Sequence, residues 1–144
     1  MKKKLLLALS LGLMITFTGC SSDEDSSTTS IVGKWKSEKF DYYTNGVLDE
    51  TVITVEENSS CPDYVEFKSN GTYVSIENDV NCNATADASG TYTYNGTNIF
   101  YNSGGVTETI TVISLTSSRM KYDITETSSE GIVYKTVGYL KKIN

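Results

Sequence analysis

From residue 31 to residue 144 the chain reads as one strand after another. Thr, Tyr, Val and Ile are abundant there, the whole chain has a single proline, Pro62, and turn-forming pairs recur at short intervals. Branched and aromatic side chains fit a pleated, half-buried surface, and no segment spaces its apolar residues at a helical period. Residues 32–44 form a first strand that stops at Asn45-Gly46, and residues 47–55 are a second arm or an ordered loop. Residues 64–68 and 72–77 flank Ser69-Asn70-Gly71 as a hairpin, with Val65 and Phe67 alternating against Glu66 and Lys68. Strands at 90–94, 98–102, 106–114, 119–127 and 132–142 follow, with Asn95-Gly96 and Ser103-Gly104-Gly105 as turns. The count is eight strands, or nine if residues 47–55 are included. Successive hairpins without a helical crossover favour an antiparallel meander, and closure removes its exposed edges most simply. The expected fold is all-β, an antiparallel up-and-down β-barrel of eight to nine strands.

The first 30 residues have a different character. Lys2 to Lys4 precede an apolar stretch at residues 5–17, which is shorter than the roughly 18 residues a spanning helix needs. Thr18-Gly19-Cys20 resembles the lipobox of bacterial lipoproteins, although Phe17 stands where leucine is commoner. That resemblance implies cleavage before Cys20, a diacylglyceryl group on its thiol and an acylated amine. Residues 21–30 contain no apolar side chain and read as a flexible tether. Asp23-Glu24-Asp25 looks like the surface-export signal of some Gram-negative lipoproteins, with a plain solvated linker as the equal alternative. The chain thus divides into a signal peptide at 1–19, a lipidated cysteine and acidic tether at 20–30, and a barrel domain at 31–144. The location implied is the outer membrane, lipid-anchored and facing the cell exterior.

Charge and chemistry narrow the function. Twelve Lys and Arg side chains, three of them in residues 1–19, stand against 18 Asp and Glu. Phosphate backbones are bound through clustered cations, and this chain has one arginine, Arg119, and scattered lysines, so nucleic acid is not its partner. There is no histidine, the commonest general base and metal ligand. Ser118-Arg119-Met120-Lys121 matches S-x-x-K, but on a strand positions i and i+3 face opposite sides. Asp79-Val80-Asn81-Cys82-Asn83 mimics the oxygen spacing of a calcium loop, yet Ala84 and Gly90 stand where that loop needs glycine and glutamate. No catalytic constellation, cofactor or metal site is expected. With Cys20 on lipid, Cys61 and Cys82 remain as an even pair in an oxidising compartment. A disulfide between them would contribute about 3 kcal/mol in the chain-entropy model, whereas a metal site needs more ligands.

Gly33-Lys34-Trp35 opens the first strand with the chain's only tryptophan, a large apolar unit suited to plugging one end of the core. It also looks like the G-x-W opening of the lipocalins. The run from Cys61 through Asp63, Phe67, Asn70-Gly71 and Thr72-Tyr73 is similar to the cysteine-to-tyrosine stretch of the small lipocalin-like domains of bacterial outer-membrane lipoproteins, and Cys82 stands at that family's second cysteine. Gly90-Thr91-Tyr92, residues 113–116 and residues 139–142 match weaker blocks in order. Three departures are Asn70 for aspartate, Tyr92 where tryptophan is frequent, and Arg119 one strand early. The last bears on an arginine that stacks over the tryptophan in lipocalins. The resemblance implies a barrel that binds a small apolar or amphipathic ligand, or an accessory role. Candidate lining residues are Trp35, Phe67, Tyr73, Tyr92, Tyr101 and Tyr122. An eight-stranded barrel is wide enough either to be filled by its side chains or to hold one small ligand, the ten tyrosines suit both, and the expectation is a filled interior. The rival architecture is an avidin-like or immunoglobulin-like sandwich for adhesion or protein assembly.

Overall fold

Alternation along each strand sends every second side chain inward, and nine strands carry that pattern. A computed structural model describes residues 29–144; the signal peptide, Cys20 and Asp23-Glu24-Asp25 lie outside the described residues. The strands are β1 (Gly33–Thr44), β2 (Val47–Ile53), β3 (Tyr64–Phe67), β4 (Thr72–Asn78), β5 (Ala84–Tyr94), β6 (Asn98–Ser103), β7 (Val106–Leu115), β8 (Arg119–Thr127) and β9 (Val133–Ile143). All neighbours are antiparallel.

Strand β1 closes the sheet. One edge pairs with β9 from Lys34 opposite Ile143 to Thr44 opposite Tyr134. The other edge is shared: Gly33 to Trp35 pair with β3, and Lys39 to Thr44 pair with β2. Strands β1 and β3 to β9 therefore form a closed eight-stranded barrel, and β2 is a ninth strand on the upper half of β1. The β1–β9 ladder corrects the immunoglobulin-like sandwich alternative, because a two-sheet sandwich leaves that pairing open. Residues 47–55, ambiguous between strand and loop, resolve as β2, exposed at every position of the strand.

Most strand limits fall within a residue or two of expectation. The exception is β5, which begins at Ala84 and not at residue 90. Its first half, Ala-Thr-Ala-Asp-Ala-Ser, has weak intrinsic strand preference, and pairing with β4 from Asn78 opposite Ala84 holds it extended.

The end of the barrel where β1 begins is plugged. Ile31, Trp35, Phe67, Ile99, Val112 and Met120 are buried there, Trp35 with 1% of its surface exposed. Its indole N–H donates to the Ile31 carbonyl at 2.7 Å, so the ring is buried without an orphaned donor. The cation over the ring is Lys142 of β9, its Nζ 5.2 Å from the ring. Arg119 instead pairs with Glu38 on the outer surface. The arginine position implied by the lipocalin resemblance is thus filled by a lysine of the last strand. Gly33 makes room for it: its φ is +130°, and a Cβ there would lie 2.5 Å from Lys142 Cε.

Candidate functional site

Above the plug, the inward positions do not meet in the middle. Tyr73 of β4 stands opposite Gly90 of β5, and Tyr122 of β8 opposite Gly138 of β9. At each glycine a built Cβ would crowd the facing tyrosine ring, so these rings lie over bare backbone on the neighbouring strand. Tyr101 of β6 packs edge-on to Tyr73 with ring centroids 4.8 Å apart. Space remains at the centre, a cavity of about 410 Å³. The expectation of a filled interior is corrected by this geometry.

Four of the six candidate lining residues come together here: Trp35 as part of the floor, and Tyr73, Tyr101 and Tyr122 as walls. Phe67 and Tyr92 do not line the cavity. Phe67 is fully buried beneath it, edge-on to Tyr92 at 4.9 Å, and the Tyr92 hydroxyl donates to the Lys68 carbonyl at 2.9 Å, covering the plugged end. The walls also contain Phe40, Ile110, Ile124 and Leu140, and the outer part carries Glu56, Asp63, Glu77 and Glu108. Strand alternation through Glu108, Ile110 and Val112 marks the β7 members. Glu56 and Asp63 lie on the β2–β3 connection, which has no period to read.

That connection is fastened from several sides. Cys61 and Cys82 form a disulfide with Cα atoms 5.6 Å apart, joining it to the β4–β5 turn. Asn78 N–H donates to Asp63 Oδ1 at 2.7 Å, the Asn78 amide donates to the Pro62 carbonyl at 3.0 Å, and the Asn58 amide to the Val80 carbonyl at 3.1 Å. The cross-link therefore holds the segment that carries Glu56 and Asp63 against the barrel. Asp79 closes the β4–β5 turn by accepting from the backbone N–H groups of Asn81 and Asn83 and from the Asn83 amide, at 2.8 to 2.9 Å. These bonds hold its carboxyl below the usual range, the Asn83 side chain contributing most. The calcium-like spacing is a turn cap whose carboxylate is already occupied.

Burial pushes the Tyr122 hydroxyl up to about 12 and raises that of Tyr101 well above the ordinary tyrosine value, so both are neutral at physiological pH. Thr54 Oγ1, also on the cavity, is the one buried side-chain polar atom among the described residues without a hydrogen-bond partner. A chamber with aromatic and aliphatic walls, one unspent buried polar atom and carboxylates at its outer part is suited to holding a small molecule.

The sequence model of a lipocalin-like domain matches residues 31–122, well over half of the chain. The chain belongs to the lipocalin-like domain family. In this lipocalin-like barrel the matched segment ends at Tyr122, and β9 beyond it supplies Gly138, Leu140 and Lys142. Among solved structures, lobster apocrustacyanin A1 is similar with a TM-score of 0.50 and 8% identity, over 83% of this chain and 63% of that one. The chain thus spans less than two thirds of the length of apocrustacyanin A1. Bovine odorant-binding protein, in complex with a selenium-containing odorant, matches with a TM-score of 0.42 and 11% identity, over 78% of this chain and 72% of the other. No curated protein sequence matches the chain. At such identities the likeness to apocrustacyanin is one of fold.

Proposed function

We propose that this lipocalin-like protein binds one small apolar or amphipathic ligand in its barrel, and that it does so on the outer face of the outer membrane, anchored by lipid on Cys20. The observation that carries the binding role is the cavity of about 410 Å³, walled by Tyr73, Tyr101 and Tyr122 over a Trp35 floor. Its size falls in the lower part of the range of about 300–1,000 Å³ typical of small-molecule sites. A role in binding and not in catalysis accords with the chain's lack of histidine. Among the described residues, no three His, Cys, Asp or Glu side chains are grouped to hold a metal ion.

The neutral apolar dye N-phenyl-1-naphthylamine tests the binding role. Trp35 touches the cavity and is the chain's single tryptophan, so its emission reports on the chamber. Saturable quenching of that emission, with one dye per barrel, is the expected result. Absence of any change at dye concentrations up to its solubility would show that the chamber does not accept apolar molecules.

Anchoring rests on Cys20 in this reading, since two or more acyl chains hold a protein stably to a bilayer. Cys20→Ser is expected to move the protein from the membrane fraction to the soluble fraction. A variant that still sediments with membranes at the parental processed size would remove the lipid anchor from the proposal.

A further inference from the structure

Resting on the proposed binding role, we infer that the cavity selects a cation: an amine with an apolar body, its ammonium at the mouth and its body among the tyrosines. Four carboxylates, Glu56, Asp63, Glu77 and Glu108, line the outer part of the chamber, and none of the lining residues is Lys or Arg. The nearest balancing charge is Lys36, whose Nζ is 3.9 Å from Glu56 Oε1, the outer limit of an ion pair. Yet the Glu56 side chain is only 11% exposed. Glu56 Oε2 also accepts from the Asp63 N–H at 3.0 Å, which holds the carboxylate in place, and its Oε1, with Lys36 only at the outer limit, is left to meet a second cation.

Position adds to charge. Glu108 stands directly opposite Tyr101 in the β6–β7 register, which places the carboxylate beside the aromatic wall. Glu77 lies two residues beyond Ser75 and four beyond Tyr73 on β4, on the same inward face. Tyr73, 9% exposed, lines the same chamber, and Thr54 Oγ1 on its wall is a buried acceptor without a hydrogen-bond partner among the described residues. The chamber thus joins carboxylates, aromatic walls and an unspent acceptor, groups that suit an ammonium with an apolar body.

The overall acidity of the chain does not account for this arrangement. Lysines are plentiful on the barrel but are kept out of the chamber: Lys39 and Lys121 lie over Tyr139, Lys34 lies over Tyr64, and Lys142 covers Trp35 at the plugged end. Among the described residues, Lys36 beside Glu56 is the one ammonium in ion-pair range of the four lining carboxylates. An anionic ligand such as a fatty acid would meet four like charges on entry.

Three probes with one naphthyl body separate charge from shape: 2-(1-naphthyl)ethylamine, 2-(1-naphthyl)ethanol and 1-naphthylacetate, each titrated calorimetrically into the purified protein at pH 7. The amine is expected to bind about tenfold or more tighter than the carboxylate, with the alcohol between them, and added salt should narrow the spread. Glu56→Gln and Glu108→Gln, which keep shape and remove charge, should each reduce the amine-to-carboxylate ratio about threefold. Equal affinity for all three probes, or a ratio untouched by both variants, overturns the charge selection while leaving the cavity as a binding site. Binding of none of them overturns the binding role as well.

Discussion

Trp35→Ala is expected to cost about 3–5 kcal/mol, a large part of the 5–15 kcal/mol that typically holds a domain of this size folded. Three features converge on this residue. The ring is the largest fully buried side chain, it contacts the floor of the chamber, and it carries both a satisfied N–H and an overlying cation. Truncation leaves a void that the barrel cannot close, because the surrounding backbone is fixed by ladders to β3 on one side and β9 on the other. It also strands the Lys142 ammonium above an apolar gap. Urea denaturation followed by far-ultraviolet circular dichroism measures the loss without needing the tryptophan signal. Trp35→Phe, which keeps an aromatic plug but loses the bond to Ile31, should recover a good part of it. A loss below about 1 kcal/mol for the alanine variant would mean that the plug is not a principal support of the barrel.

The strand order, the turns and the cysteine pair were legible because each is written locally. Asn45-Gly46, Ser69-Asn70-Gly71 and Asn95-Gly96 mark reversals through residues that tolerate left-handed or tight backbone, and Asn45, Gly46, Gly71 and Gly96 indeed have positive φ. Residues 84–89 were not legible, since Ala, Asp and Ser there have little preference for strands and owe their extension to β4. The hollow interior was hidden for a related reason. Tyrosines suit a lined or a packed interior alike, and whether two rings meet or stand apart depends on what each faces across the ladder. Tyr73 and Tyr122 face glycines, and that is a property of register, not of composition. The same holds for the charged mouth: Glu108 is placed by alternation on β7, but Glu56 and Asp63 reach the chamber only through a connection that the disulfide and Asn78 hold in place. Lys142 stands where lipocalins stack an arginine, because position over the Trp35 ring, and not the identity of the cation, satisfies the stacking.

Gly90→Ala is expected to destabilise the barrel by about 3 kcal/mol, at the upper end of the range for overpacked sites. Intrinsic preference predicts the opposite sign, since glycine inside a strand is worse than alanine by roughly 0.5–1 kcal/mol. Sterics decide the matter. A Cβ at residue 90 would overlap the carbonyl oxygen of Asn102, which is backbone of β6, and would also come within 3.1 Å of Tyr73 Cε1. Backbone in a paired strand cannot turn aside as a side chain can, so the β5–β6 ladder around Thr91 and Asn102 has to move. Gly138→Ala provides the contrast. There the obstacle is the far end of the Tyr122 ring, free to swing towards the cavity, so the stability loss should be nearer 1 kcal/mol. The displaced ring would then occupy ligand space and weaken binding of N-phenyl-1-naphthylamine. Thermal and urea unfolding of both variants, with dye titration of the second, tests the pair of outcomes. A Gly90→Ala protein as stable as the parent would show that the close approach of β6 at this point is readily relaxed, and that the glycine opposite Tyr73 is not needed to shape the chamber.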